Sequence, residues 1–253
     1  MSAAPPAAAP RASAVLAQVG IELRLTARRA ENLLALAGIP VVVLVFFAST
    51  GVVRTPGERA VDFLLPGALA LAVMAAGLVN LGIATAYERS YGVLRRLGAS
   101  PLGREGLVLA KLASIGAIVL VQAAALAGVA WIGLDWRPAD GLSVPLLALA
   151  LASGTAAFAS LGLLLAGTVR AEATLALANG LFVLAIVLGG VVLPTSELPS
   201  AVGTVADLLP PAALSDALRL ALGPGPAEPR PFVILAAWAV SATALAARAF
   251  RWD

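Results

Sequence analysis

The sequence has no cysteine and no histidine. A disulfide, a thiol nucleophile, a Ser–His dyad and a His-based metal site are therefore all excluded. Charge is also scarce: Asp, Glu, Lys and Arg make up 12% of the 253 residues, against about 25% in soluble domains. Lysine occurs once, as Lys111 in the string LVLAKLAS. No glycine-rich loop precedes it, so the chain has no Walker-type cradle for phosphates and no ATP site of that kind. The apolar runs carry no carboxylate pair, which argues against an intramembrane enzyme. They are also nearly free of ionisable groups, which argues against a proton- or ion-coupled carrier.

What fills the chain is Leu, Ala, Val and Gly. Hydrophobic residues reach 60%, more than a soluble core of this length can absorb, so lipid must solvate most of the surface. The apolar residues come in long runs without two-residue alternation, which favours helices over a transmembrane barrel. An all-α polytopic membrane protein is expected. Six runs are long enough to cross a bilayer, for which about 20 residues suffice. They cover roughly Leu33–Val53, Phe63–Ala86, Leu107–Leu134, Leu142–Val169, Ala173–Leu193 and Pro231–Ala247, within a membrane domain of residues 33–248.

Around these spans lie a disordered, Pro-rich lead (1–10) and a helix over 11–31. In that helix Val15, Val19, Leu23 and Ala27 fall at four-residue steps, with Gln18, Glu22, Arg28, Arg29 and Glu31 elsewhere on the wheel. Such a helix suits a membrane surface. A short tail closes the chain at 249–253. With both ends cytoplasmic, twelve of the 17 basic residues lie inside and five outside, as the positive-inside rule requires. A cell-membrane location with both ends cytoplasmic is expected, and no nucleic-acid partner is.

Two connections carry more than topology. The cytoplasmic one, 87–106, is the most charged internal loop. Through Leu97 it can be helical, with Val93, Leu94 and Leu97 on one side, Arg95 and Arg96 turned away, and Gly98 and Pro101 ending it. The outer one, 194–230, holds a helix start at Ser196-Glu197-Leu198-Pro199. An apolar face of Val202, Val205, Ala206 and Leu209 follows, then a break at Pro210-Pro211, and a second helix with Leu214, Leu218 and Ala221. Its many leucines suggest a re-entrant segment packed against the outer helix ends.

The string Tyr87-Glu88-Arg89-Ser90-Tyr91-Gly92-Val93-Leu94-Arg95-Arg96-Leu97 with Ser100-Pro101-Leu102 resembles the segment after the second span of ABC type-2 transporter permeases of the daunorubicin-resistance and multidrug exporter kind. Ser90 departs from the glutamate common there. Phe63-Leu64-Leu65-Pro66-Gly67 resembles the family's start of span two. Val191 to Pro199, with Leu208-Leu209-Pro210 and Asp216-Ala217-Leu218-Arg219, resembles its outer re-entrant hairpin.

The resemblance implies a permease subunit that pairs with a second copy or a homologous permease. Each would dock on a cytoplasmic nucleotide-binding ATPase that holds ATP and magnesium, while this chain binds neither. Tyr87, Glu88, Arg89, Gly92, Arg95, Arg96 and Pro101 are then the candidate coupling residues, Asn80 and Asn179 the candidate substrate-path residues; no residue is expected to be catalytic or to bind metal. Apolar walls with a few amides suit an amphipathic drug, antibiotic or lipid-like cargo. A polysaccharide or lipid-linked glycan exporter, and a non-transporting scaffold or sensor of the same fold, are the alternatives. A lone amide in a membrane helix most often bonds a neighbouring helix, and small-residue steps at Gly162/Ala166, Ala124/Gly128 and Ala176/Gly180 suggest close helix packing.

Overall fold

The computed structural model describes residues 11–28, 30–52, 59–100, 102–191, 194–223 and 228–251. The lead 1–10 and Pro101 lie outside the described residues. Among those described there are helices and turns and no strand. The helices are α1 (Arg11–Arg28), α2 (Ala30–Thr50), α3 (Ala60–Ser90), α4 (Val93–Gly98), α5 (Gly103–Gly133), α6 (Val144–Thr168), α7 (Ala171–Leu188), α8 (Ser200–Ala206), α9 (Pro210–Leu222) and α10 (Arg230–Ala249). Five of them, α3, α5, α6, α7 and α10, are long and apolar enough to cross a membrane. The first expected run falls on α2, whose apolar stretch among the described side chains is Leu36–Thr50.

The ends of these helices follow from local chemistry. α2 stops at Thr50 because Gly51 takes a left-handed φ of 60°, three residues short of the expected boundary. α7 stops at Leu188, earlier than expected, where Gly189 and the left-handed Gly190 (φ 63°) turn the chain. α6 starts on Ser143, whose hydroxyl accepts from the Leu146 N–H at 3.4 Å, with a proline in the first turn. Pro210 and Pro211 break the outer segment as expected, and they do so by opening α9, where an N–H is not needed.

α3 is the centre of the bundle and is buried along nearly its whole length. α2, α5, α6, α7 and α9 pack on it. α5, α7 and α10 lie outside and expose Leu120, Val121, Ile132, Leu181, Val183, Leu184 and Val240, a surface that suits lipid and not water. Midway, α3 widens into a π-helical stretch, Ala75–Leu81. Here it meets α6 at backbone distance: a methyl on Gly162 would sit 2.5 Å from the Gly77 carbonyl oxygen. Such approach needs glycine on both helices. The other two small-residue steps do not pack this way, since a methyl on Gly128 or Gly180 would meet nothing within 4 Å.

Two expectations need correction. α1 forms, but Gln18 is buried and Glu22 is turned inward, while Leu16 and Leu25 are exposed. Polar groups on α1 point at the protein because α5 offers them a buried cation. In the outer segment α9 is the packed helix, with Leu214 and Leu218 fully buried. The apolar face expected from Val202, Val205, Ala206 and Leu209 is covered only in part: Val202 and Val205 are exposed, Leu209 is half-buried and Ala206 is buried. α8 is too short, at seven residues, to reach the core that α9 occupies.

Candidate functional site

The helix of span two continues past Ala86, where the apolar run ends. α3 runs on through Ser90, so Tyr87, Glu88 and Arg89 belong to the spanning helix itself. The break comes at Gly92, which adopts a left-handed φ of 70°. No neighbour crowds that position, so glycine is required there by backbone conformation alone. α4 then leaves in a new direction. Leu94 is fully buried beneath it, Val93 and Leu97 are half-buried, and Arg95 and Arg96 are exposed, as the sequence pattern predicts. The Ser100 hydroxyl donates to Leu97 O at 2.6 Å and accepts from Leu102 N–H at 3.3 Å, closing the turn into α5.

The seven candidate coupling residues therefore divide. Tyr87 packs on the cluster of Ala86, Ala166 and Ala171 where α6 hands over to α7, with its ring 6.2 Å from that of Tyr91. Arg89 donates from Nη2 to Val169 O at 2.6 Å. That carbonyl ends α6, and a cation there complements both an orphan acceptor and the helix dipole. Glu88 Oε2 lies 2.6 Å from Lys111 Nζ. These three face the membrane domain. Arg95 and Arg96 face outward, and Gly92 sets the angle between the two groups.

Lys111 is the residue the sequence reading undervalued. It sits two turns into α5, is 2% exposed, and pairs with Glu22 Oε1 of α1 at 3.1 Å as well as with Glu88. Gln18 Nε2 donates to the same Glu22 oxygen at 3.0 Å. α1 packs along α5 here: Val15 lies beside Gly106, where a methyl would meet it at an ordinary 3.5 Å and would crowd only the Leu102 side chain, at 2.9 Å. The chain thus does hold a buried lysine in an apolar helix. It is tolerated because two carboxylates from elsewhere in the chain compensate its charge. The available signal was a single lysine inside an otherwise apolar run, a position where an ionisable group always needs a partner.

The three span amides behave differently from one another. Gln122 donates from Nε2 to Leu36 O at 2.7 Å. Leu36 stands four residues before Pro40 of α2, which has no N–H to offer that carbonyl. Asn80 is half-buried on the π-helical stretch of α3, and its side chain bonds no other described residue. Asn179 is exposed on α7 and donates to Leu175 O of its own helix at 2.8 Å. Asn80 and Asn179 thus stand on different helices, α3 and α7. A cavity of about 330 Å³ opens at the outer segment, lined among others by Asp207, Asp216, Arg219, Glu228 and Arg230.

Arg219 organises that end. It pairs with Asp216 at 3.0 Å, donates to Gly190 O beyond the end of α7, and lies 4.1 Å above the Phe63 ring at the start of α3. Burial pushes the Asp216 carboxyl above its ordinary range, against the pull of Arg219. Gly67 brings the same end of α3 against the Val191 backbone. The three stretches that carry the outer family resemblance thus meet in space.

The family model described as ABC-2 type transporter matches residues 15–222, from within α1 to the last residue of α9. The chain belongs to the ABC-2 type transporter family. It is a multi-pass, all-helical membrane component of a transporter, of the permease kind. Such components are generally not catalytic, and the family in general works with an ATPase partner. No curated protein matches this ABC-2 family member in sequence.

Proposed function

We propose that this chain is the permease subunit of an ATP-driven exporter, and that α4 is the helix through which a partner ATPase moves it. The observation that carries the proposal is the break at Gly92. A rigid span ends in a left-handed turn, and a short helix follows that buries Leu94 and presents Arg95 and Arg96 outward. Two guanidiniums on an anchored helix suit docking onto carboxylates of a partner. Glu88 and Arg89, just before the break, pass any displacement into α5, α1 and the α6–α7 junction. Pro101 belongs to the same connection by sequence.

In this reading α2 is the first of six crossings, both ends of the chain are cytoplasmic, and residues 194–230 form an outer re-entrant segment. α1 lies at the cytoplasmic membrane surface. Two permease copies act with two ATPase subunits, which supply ATP and magnesium. The cargo is amphipathic, a drug, antibiotic or lipid-like molecule, in keeping with apolar helices that carry few polar groups.

The purified chain is expected to hydrolyse no ATP alone and to co-purify with a nucleotide-binding subunit. Arg95→Ala/Arg96→Ala should insert normally and lose export. Truncating one side of a desolvated interfacial charge pair costs about 2–5 kcal/mol, enough to weaken the complex by tenfold or more. Single cysteines at Glu197 and Arg251 check orientation with an impermeant thiol reagent on intact cells. Wild-type export by the correctly inserted double variant would refute the role of α4, and labelling at 251 but not 197 would refute the topology.

A further inference from the structure

We propose that Lys111 is a positioning residue that locks α1 and the inner end of α3 onto α5, so that motion arriving at α4 moves three elements as one body. The inference rests on the coupling role given to α4 above. Its basis is the geometry around one ammonium group. Nζ reaches Glu88 at 2.6 Å, one turn before the Gly92 break, and Glu22 at 3.1 Å on the N-terminal helix. The side chain is 3% exposed. α1 and α3 carry few charges on their inward faces, yet each sends one carboxylate to this point. Gln18 holds the Glu22 carboxylate from its other side at 3.0 Å.

Stability alone does not account for such a group. A buried ion network is often no more stabilising than well-packed apolar residues of the same volume. Leucine or methionine at 111 would match the rest of α5. What an ammonium between two carboxylates supplies is register: it fixes the depth and rotation of three helices relative to one another through short, directional contacts. Apolar contacts between helices can slide with little penalty; this contact cannot. Its place is also specific. It lies where the exposed arginines of α4 join the membrane domain, and it reaches α1, which would otherwise be held to α5 by apolar packing.

The Cys-free chain allows a direct test. Cysteines at Arg24 on α1 and Ala99 at the end of α4, both exposed, carry a spin-label pair in the permease reconstituted into lipid nanodiscs without any ATPase. The distance distribution is expected to be narrow in the parent and in Lys111→Arg. It should broaden in Lys111→Met and in the triple variant Glu22→Gln/Glu88→Gln/Lys111→Met, which leaves no buried charge unpaired and so remains foldable. With the ATPase partner bound, the triple variant should keep ATP turnover within about twofold. Substrate moved per ATP should fall by about tenfold or more, and Lys111→Arg should preserve it. A purely structural role would lower both activities together with the amount of folded protein. An unchanged distance distribution in the triple variant overturns the lock whatever α4 does. A broadened distribution with unchanged transport per ATP overturns its part in transmission, while the Arg95/Arg96 test judges the coupling role separately.

Discussion

Gly162→Ala tests the crossing on which the centre of the bundle depends. The added methyl would lie 2.5 Å from Gly77 O, 3.1 Å from Leu78 O and 3.3 Å from Gly82 Cα. Ordinary contacts of a carbon sit at about 3.5–4.0 Å, so the Gly77 oxygen and the new methyl must part by about 1–1.5 Å. The atoms met are backbone atoms and cannot swing aside. Overpacking of this kind costs about 1–3 kcal/mol. Alanine also returns up to about 1 kcal/mol of helix propensity, so the net effect is a loss of about 0–2 kcal/mol. Gly128→Ala is the matched control: it gains the same propensity and meets nothing within 4 Å. The two variants should therefore differ by about 1–3 kcal/mol, or about 2–12 °C in the thermal midpoint at about 2–4 °C per kcal/mol for a chain of this size. Thermal unfolding in detergent, read by size-exclusion chromatography, measures the difference. A Gly162→Ala midpoint equal to or above that of Gly128→Ala would show that α3 and α6 do not cross at backbone contact.

Two further outcomes follow from the same contacts. Gln122→Leu leaves Leu36 O without the donor that replaces the missing N–H of Pro40, and should lower stability by about 0.6–2 kcal/mol, checked in the same thermal assay against Gln122→Asn. Gly92→Ala forces a side chain into a left-handed conformation costing about 1–2 kcal/mol with no steric clash. Export should fall while the thermal midpoint moves by only a few degrees, and transport at parent rates would mean that the angle of α4 is unimportant.

Much of this architecture is legible in the sequence because a bilayer is a demanding solvent. It requires long apolar stretches and internally bonded backbone, so the helices appear as runs with ends wrong by only a few residues. The division of α4 into a buried Leu94 and exposed Arg95 and Arg96 was equally readable, since helical spacing decides it. Errors arose where two reasonable placements differ only by what lies opposite. On α1 the apolar steps pointed Val15 and Val19 at a surface and left Gln18 and Glu22 for water, yet Glu22 turns inward to Lys111. On α8 Val202 and Val205 suggested packing, but lipid and protein are equally acceptable neighbours for them, and periodicity cannot tell the two apart.

The sequence by itself determined that the chain is helical, membrane-borne and without thiol or imidazole chemistry, because composition and run length alone decide those points. It also carried enough ordered motifs around Tyr87–Leu102 and Phe63–Gly67 to point to the family. Only the tertiary structure decided which charges are spent inside the protein and which stay exposed. Glu22 and Lys111 are 89 residues apart along the chain, and no local rule relates them. Their pairing exists because α1 packs along α5, and α3 continues past the expected end of its span to bring Glu88 to the same ammonium.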